Sequence, residues 1–180
     1  DFSANVSPLG LPEGVRRAAA DALEDAHRYP DPLCRALGEA IAQAEGVSPD
    51  WVLCGNGAAD LIWRAALATR PRRALVTAPA FAEYEAALEL AGCGTERFPL
   101  RAEDGFVLGE GFPEAVTPEM DLVFLCQPNN PTGRTVPRPL LERTLARCRE
   151  ADALLVVDEC FLELLDRPED FAMKGLLGQY

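Results

Sequence analysis

Two short segments of this chain, residues 122–126 and 154–157, are apolar at every position. A strand with one face in water alternates apolar and polar residues, whereas a strand covered on both faces is apolar throughout. Helical patterns separate these segments from each other and from further short apolar runs. Strands that alternate with helices predict an α/β fold, in which a mostly parallel sheet carries helices on both faces.

The pattern along the chain predicts five strands and five helices, with no repeat and no domain linker. We predict strands at 51–54, 73–79, 95–100, 121–126 and 153–160, and helices at 11–26, 33–45, 61–69, 81–92 and 139–151. In sheets of this kind, ligands bind outside the carboxyl ends of the strands. This rule selects three places for candidate site residues: the loop after residue 54, the loop after residue 126 and the end of the segment 153–160.

The charge balance limits the partners of this chain. It carries 29 acidic and 17 basic residues, for a formal net charge of −12. An acidic protein without clustered basic residues repels polyanions, so we expect neither nucleic acid nor a membrane surface as a partner. No apolar stretch is long enough to span a bilayer, and residues 1–9 lack a signal-peptide pattern. We expect a cytoplasmic protein and, since the chain starts at Asp1 rather than Met, residues that precede it.

The cysteines and the single histidine argue against disulfides and metal. Six cysteines occur without C-x-x-C spacing, at positions 34, 54, 93, 126, 148 and 160. We expect reduced thiols, which fits a reducing cytoplasm. His27 is the only histidine, which excludes zinc sites that need two, and we expect no metal.

A glycine-rich turn, G-N-G-A-A-D at residues 55–60, leads from an apolar segment into a helix. The free N–H groups of a first helical turn, together with the helix dipole, form an anion site suited to phosphate. The simpler interpretation is a tight turn that uses glycine for its positive φ. The string does not match G-x-G-x-x-G, and no G-K-[ST] follows, so nucleotide binding has little support.

The most specific string is Q-P-N-N-P-T-G at residues 127–133, directly after an apolar strand. Proline and glycine restrict the loop, while asparagine side chains both donate and accept hydrogen bonds. A plain turn would explain the prolines and the glycine without requiring the whole string.

Asp158 and Glu159 end the last strand, and two aromatic residues follow an earlier one. A carboxylate that leaves an apolar strand loses hydration unless a cation or several donors meet it. A strand end that reaches water explains Glu159 well and Asp158 less well. Phe81 and Tyr84 either belong to the core or stack on a flat cofactor ring.

Taken in this order, four strings resemble the class I/II aminotransferase superfamily, whose members are fold-type-I enzymes that depend on pyridoxal 5′-phosphate. The similar strings are the phosphate-binding turn G-N-G-A-A-D, the aromatic segment A-P-A-F, the asparagine loop P-N-N-P-T-G and the aspartate segment V-V-D-E. The resemblance covers residues 1 to about 166. It implies the large domain of a three-layer α/β fold, with residues 1–30 as an amino-terminal segment and residues 31–180 as the amino-terminal part of the cofactor-binding domain.

The resemblance also implies roles for individual residues. The two with catalytic roles are Asp158, which keeps the pyridine nitrogen protonated, and Asn130, which bonds the cofactor O3′ and helps to orient the substrate. Phe81 stacks on the ring, and the N–H groups of Gly57 and Ala58 hold the phosphate. In related aminotransferases the tyrosine of a Y-P-[DE] string reaches the phosphate of the neighbouring subunit, which here implies a homodimer with Tyr29 at its interface.

The sequence resembles two branches of the superfamily, the threonine-phosphate decarboxylases and the histidinol-phosphate aminotransferases. The opening D-F-S-A-N-V-S-P-L-G is similar to the decarboxylases. Phe161, in D-E-C-F rather than D-E-A-Y, is also similar to the decarboxylases, which typically carry phenylalanine there. Phenylalanine cannot donate the hydrogen bond to O3′ that a tyrosine at this position would give. This branch implies an amino-acid phosphate as substrate, O-phospho-L-threonine, and aminopropanol phosphate as product, in cobalamin biosynthesis.

The chain departs from the superfamily in its lysine. These enzymes hold the cofactor covalently on a lysine in a string like S-x-T-K, well beyond D-E-x-F. Lys174 is the only lysine here and lacks that context, so we expect a surface residue. We further expect the catalytic lysine to lie beyond residue 180 and the 180 residues alone to be inactive. A non-catalytic protein that keeps the fold is the third alternative.

Overall fold

The computed structural model describes residues 5–178 and divides into two compact units, one up to Cys54 and one from Gly55 onward. The first unit contains helices α1 (Glu13–Ala22) and α2 (Arg35–Glu45). Helix α2 ends where Gly46 takes φ +69°, a left-handed conformation that glycine adopts without strain. The different boundary predicted from the resemblance, between residues 30 and 31, stays a prediction.

The second unit alternates strands and helices as the sequence predicts. Its elements are α3 (Gly57–Thr69), β1 (Arg73–Ala78), α4 (Ala82–Leu90), β2 (Gly94–Pro99), α5 (Phe112–Ala115), β3 (Leu122–Cys126), α6 (Arg138–Glu150) and β4 (Leu154–Asp158). Four of the five predicted strands and all five predicted helices are thereby confirmed.

The four strands form one parallel sheet in the order β2-β1-β3-β4. Strand β3 lies in the middle, and all five of its residues are buried. Its alternate side chains face opposite ways: Val123 and Leu125 join one apolar core, and Leu122 and Phe124 join the other. The uniformly apolar pattern of this segment follows from that position, because neither face of β3 meets water.

The two cores put helices on both faces of the sheet. On one face, Ile62 of α3 and Leu88 of α4 pack with Phe124. On the other, Leu140 of α6 and Phe112 of α5 pack with the opposite side of β3. Burial of each such side chain contributes about 1.5–3 kcal/mol. The result is the predicted three-layer α/β arrangement.

Strand β4 lies at one edge of the sheet and is only half-buried. Leu154 and Leu155 line a groove of about 520 Å³ there, together with Leu177 from the last described turn. The apolar composition of β4 correctly predicts a strand, but it does not predict this partial exposure.

Charged groups bond to one another at the amino end of the sheet. The Asp121 carboxylate accepts the backbone N–H groups of Arg72 and Arg73, at 2.7 and 3.1 Å. Those two bonds, with further help from the Arg72 guanidinium, lower the pKa of Asp121. The Arg73 side chain pairs with Glu96 and Glu119. These side chains lie at the surface, and each carboxylate in the group has a cationic partner.

The strand predicted at residues 51–54 is wrong. Trp51 ends a 3₁₀ turn, and Val52 is extended but, within residues 5–178, pairs with no strand. Trp51 and Leu53 are 56% and 67% exposed. An apolar run forms a strand only where a neighbouring strand accepts its backbone hydrogen bonds, and periodicity cannot reveal such a neighbour.

All six cysteines are free, as expected, although only Cys126 and Cys148 are buried. Burial raises the pKa of the Cys148 thiol to about 12. Across the part of the chain that the structure describes, no helix combines the length and the apolar character needed to cross a membrane.

Candidate active site

The loops that follow β1, β3 and β4 meet at the carboxyl edge of the sheet. Strand register places Cys126, the last residue of β3, opposite Asp158, the last residue of β4. The backbone N–H of Gln127 donates to the carbonyl of Asp158 at 2.8 Å. The asparagine loop thus starts beside Asp158, as the parallel topology requires.

Both carboxylate oxygens of Asp158 accept hydrogen bonds from neutral donors. The Tyr84 hydroxyl donates to Oδ2 at 2.8 Å, and the backbone N–H of Cys160 donates to Oδ1 at 3.0 Å. Within residues 5–178 no lysine, arginine or histidine forms an ion pair with this carboxylate. The donors fix the plane of the carboxylate but leave its negative charge without a cation.

Glu159 points elsewhere and is half-buried rather than immersed in water. Its Oε1 accepts the backbone N–H of Met173 at 2.7 Å. The simple interpretation of Glu159 as a strand end that reaches water therefore needs correction, because this carboxylate anchors the segment that follows β4.

Of the two aromatic candidates, only Phe81 remains available for stacking on a ligand. Tyr84 is 1% exposed and stacks on Phe124, with ring centroids 5.0 Å apart and planes 9° apart. Phe81 contacts the Tyr84 ring edge-to-face at 5.8 Å and is half-buried at the start of α4. The suggestion that Tyr84 stacks on a cofactor is wrong, since its ring is enclosed by protein. Its hydroxyl contact with Asp158 is the feature that sequence reasoning missed.

The asparagine loop is tied to the loop after β1. The side-chain nitrogen of Asn129 donates to the Pro79 carbonyl at 3.2 Å and to the Thr132 hydroxyl at 2.9 Å. Its Oδ1 is buried and has no hydrogen-bond partner among the described residues. Gln127 is fully buried and exchanges two 2.8 Å bonds with the backbone of Val136. These contacts give Gln127 and Asn129 structural roles.

Asn130 differs from both of those neighbours. It is half-buried, and its side-chain amide makes no hydrogen bond within residues 5–178. An amide with unused donors and acceptors, in the loop that starts beside Asp158, is suited to bind a polar ligand atom.

The glycine turn before α3 has the predicted backbone. Gly57 takes φ +79°, and a Cβ there would meet nothing within 4 Å, so the space beside it is open. The N–H of Gly57 donates to the Gly55 carbonyl at 2.9 Å. Asp60 accepts the N–H of Asn56 at 2.8 Å, and this bond, more than the Arg64 side chain, lowers the pKa of Asp60. The first-turn N–H groups left to bind an anion are those of Ala58 and Ala59.

The remaining candidates lie away from these loops in sequence. Tyr29 belongs to the first unit and is fully exposed. Phe161 is half-buried at the start of a short 3₁₀ turn. Lys174 is exposed, as expected, and lines the groove along β4. Residues 1–4, which carry D-F-S-A of the decarboxylase-like opening, lie outside the described residues.

No group of three His, Cys, Asp or Glu side chains in the described range could hold a metal ion. The loops at the carboxyl edge offer a carboxylate, a free amide and an aromatic ring, and the same unit contains the start of α3. Such a set can bind a flat, anionic ligand that carries one cationic or proton-donating atom.

Comparison with known proteins identifies the family. Residues 1–177 match the family model described as aminotransferase class I and II. The L-threonine-O-3-phosphate decarboxylase of Porphyromonas gingivalis superposes with a TM-score of 0.77 at 27% identity, over 92% of this chain and 48% of that one. The predicted fold-type-I architecture is confirmed by this likeness.

Curated relatives point to more than one activity. A threonine-phosphate decarboxylase of Salmonella typhimurium is 43% identical over 95% of this chain and 47% of its own length. A histidinol-phosphate aminotransferase of Cupriavidus pinatubonensis is 36% identical over 99% of this chain and 47% of its own. An adenosylcobalamin biosynthesis bifunctional protein of Leptospira interrogans is 30% identical over 95% of this chain and 20% of its own.

The chain thus spans about half the length of the threonine-phosphate decarboxylase and histidinol-phosphate aminotransferase relatives that it matches. The four motifs, the topology of the sheet and the family model agree with one another. The chain belongs to the class I and II aminotransferase family, whose enzymes depend on pyridoxal 5′-phosphate.

Proposed function

We propose that this chain carries part of the active site of a pyridoxal-phosphate-dependent decarboxylase. Its substrate would be O-phospho-L-threonine, and its product would be aminopropanol phosphate, a step in cobalamin biosynthesis in the cytoplasm. The identity of 43% to a threonine-phosphate decarboxylase and the match to an adenosylcobalamin biosynthesis protein support this assignment.

The observation that carries the proposal is the environment of Asp158. Two neutral donors orient its carboxylate, while no cation within residues 5–178 neutralises it. A half-buried negative charge of this kind is stabilised by a protonated ligand atom. The pyridine nitrogen of pyridoxal phosphate, when protonated, supplies that atom, so the residues present fit the cofactor.

The other site residues would hold the rest of the cofactor. The half-buried ring of Phe81 would stack on the pyridine ring. The Asn130 amide would bond O3′, since it has no competing partner among the described residues. The N–H of Ala58 and the open space at Gly57 would accept the phosphate, while use of the Gly57 N–H requires its bond to Gly55 to open.

When bound, pyridoxal phosphate supplies a ring system that accepts the electron pair released as a bond at Cα breaks. Asp158 would hold the proton on the ring nitrogen and thereby keep the ring electron-poor. The bond that breaks is the one perpendicular to the ring plane, and a decarboxylase must hold the substrate carboxylate there. Asn130, beside the expected carboxylate position, would help to orient it. Phe161 would leave O3′ without the phenol donor found in histidinol-phosphate aminotransferases.

An aminotransferase that acts on an amino-acid phosphate is the second candidate. It would use the same residues of this chain and would differ in holding hydrogen rather than carboxylate perpendicular to the ring. The 36% identity to a histidinol-phosphate aminotransferase over 99% of the chain supports this second candidate. A non-catalytic protein that keeps the fold is the third candidate.

The test uses the natural gene product that contains residues 1–180. Given pyridoxal phosphate and O-phospho-L-threonine, it should release CO₂ and an amino alcohol phosphate without any keto acid. Consumption of 2-oxoglutarate with histidinol phosphate, and no CO₂, would establish the aminotransferase instead. Absence of both activities together with absence of cofactor binding would establish the non-catalytic alternative.

A further inference from the structure

Tyr84 connects two of the proposed cofactor contacts. Its hydroxyl donates to Asp158 Oδ2 at 2.8 Å, and its ring meets the Phe81 ring edge-to-face with centroids 5.8 Å apart. The other ring contact, a parallel stack on Phe124 of β3, holds the phenol against the sheet. Because Tyr84 is 1% exposed, its hydroxyl cannot exchange Asp158 for bulk water.

The two donors to Asp158 come from different elements. Tyr84 belongs to α4, whereas the Cys160 N–H belongs to the turn after β4. Donors on both oxygens fix the rotation of the carboxylate about its Cβ–Cγ bond. A carboxylate offers about four lone-pair positions, so two remain for another donor. Asp158 is therefore oriented and still able to accept a further bond.

We propose that Tyr84 is a positioning residue, which keeps the proton shared by Asp158 and the ring nitrogen on the nitrogen. This proposal rests on the proposed pairing of Asp158 with that nitrogen. A hydrogen bond from a phenol stabilises the carboxylate over the carboxylic acid. Without that bond the charged form of Asp158 loses one of its two donors. The proton would then shift from the ring nitrogen to an Asp158 oxygen, which leaves both groups neutral.

The other titratable groups around Asp158 and the ring nitrogen do not change their charge near neutral pH. The pKa of the Tyr84 phenol is raised, mainly by burial and further by its neighbours Cys126 and Asp158. The phenol therefore keeps its proton and stays a donor. Burial likewise raises the pKa of Cys126 on β3, and it raises that of Cys160 to about 12. Both thiols are therefore neutral near pH 7, the pH at which the proton between the ring nitrogen and Asp158 is measured.

The experiment compares the natural holoenzyme with its Tyr84→Phe variant, loaded with ¹⁵N-labelled pyridoxal phosphate and no substrate. The wild-type ¹⁵N resonance should lie at the protonated value. In Tyr84→Phe, which keeps the stacked ring, it should move toward the unprotonated value, and turnover should fall about tenfold. An unchanged resonance with turnover within twofold of wild type would overturn the positioning role.

A matched control separates positioning from general destabilisation. Phe98 and Phe112 form an edge-to-face pair, 5.1 Å apart, and belong to the core on the other face of the sheet. Phe98→Leu should lower the unfolding temperature and leave the ¹⁵N resonance where it is in wild type. If Phe98→Leu moves the resonance as far as Tyr84→Phe does, Tyr84 acts only through stability.

One further result would refute the proposed pairing itself, and one further variant serves if Tyr84→Phe does not fold. If the wild-type nitrogen is unprotonated, or stays protonated in Asp158→Asn, the proposed pairing fails, and the role of Tyr84 fails with it. If Tyr84→Phe does not fold, 3-fluorotyrosine at position 84 keeps the shape and strengthens the donor. It should then hold the resonance at the protonated value to a higher pH than tyrosine does, and a lower pH would refute the proposal.

Discussion

The two ends of the same parallel sheet differ in whether their polar side chains have charged or hydrogen-bonding partners within the protein. At the amino end, Asp121 has Arg72 and Arg73 as partners. At the carboxyl end, Asp158 has neutral donors and Asn130 has no side-chain partner in the described range. Groups that satisfy one another stabilise a fold, whereas groups with unused capacity are available to a ligand. The difference favours the carboxyl end as the place where a ligand binds.

Asp158→Asn tests the carboxyl end most severely. An amide cannot stabilise a protonated ring nitrogen, so we expect turnover of the natural enzyme to fall roughly a hundredfold or more. The near-identical shape should keep the unfolding temperature within about 5 °C of wild type. Steady-state kinetics and thermal unfolding check both expectations. Retention of more than a tenth of the activity would contradict the assigned role.

Phe81→Ala should give the next largest effect. Loss of the stacked ring is expected to weaken cofactor affinity about tenfold, because aromatic pairing contributes about 0.5–1.5 kcal/mol beyond surface burial. Fluorescence titration with pyridoxal phosphate measures this. Phe81→Tyr, which keeps a ring, should bind as wild type does. Equal affinity in the alanine and tyrosine variants would mean that this position does not stack on the cofactor.

Tyr29→Phe asks whether a second subunit completes the carboxyl end. We propose a homodimer in which the Tyr29 hydroxyl reaches the neighbouring cofactor phosphate. Its removal should weaken cofactor affinity about fivefold, the effect of one hydrogen bond, without changing the sedimentation of the dimer. A wild-type protein that sediments as a monomer and binds the cofactor normally would show that this proposal is wrong.

Asp121→Asn tests the amino end and should have the smallest effect on the site. Cofactor affinity and turnover should match wild type, while the free energy of unfolding should fall by about 1 kcal/mol or less, since Asp121 is partly exposed. The pKa of Asp121 is lowered in the folded state. Its contribution is therefore present above the unfolded pKa of about 3.9 and is lost as pH falls through the folded value.

Urea unfolding from pH 7 to pH 3 measures that dependence. The difference between wild type and Asp121→Asn should be constant above about pH 5 and shrink below about pH 4. A difference that grows toward low pH would contradict the sign. A loss of cofactor affinity would show that the two ends of the sheet are not independent.

The alternation of apolar segments and helices predicts most of the second unit, because burial on both faces leaves a clear pattern. The strand predicted at residues 51–54 fails because pairing depends on a neighbour that the segment itself does not encode. The exposure of β4 is missed for the same reason, since a central strand and an edge strand can share one composition.

The site divides in a similar way. Motifs predict Phe81, Asn130 and Asp158 as site residues, and the topology brings their loops to one edge, while their roles stay predictions. The Tyr84 bond to Asp158 joins residues 74 positions apart and leaves no local pattern. A weak signal does exist, since Tyr84 follows Phe81 by three residues and so lies one helical turn along.

The contacts of Asn129 have an entropic consequence. One amide nitrogen bonds the loop after β1, through Pro79, and its own loop, through Thr132. Loops that are free in the unbound protein must be ordered on binding, at about 1–2 kcal/mol for each residue that becomes fixed. Because this bond already joins the two loops, the part of that ordering that it fixes occurs when the chain folds. That part of the entropic cost does not reduce the affinity for a ligand at this edge.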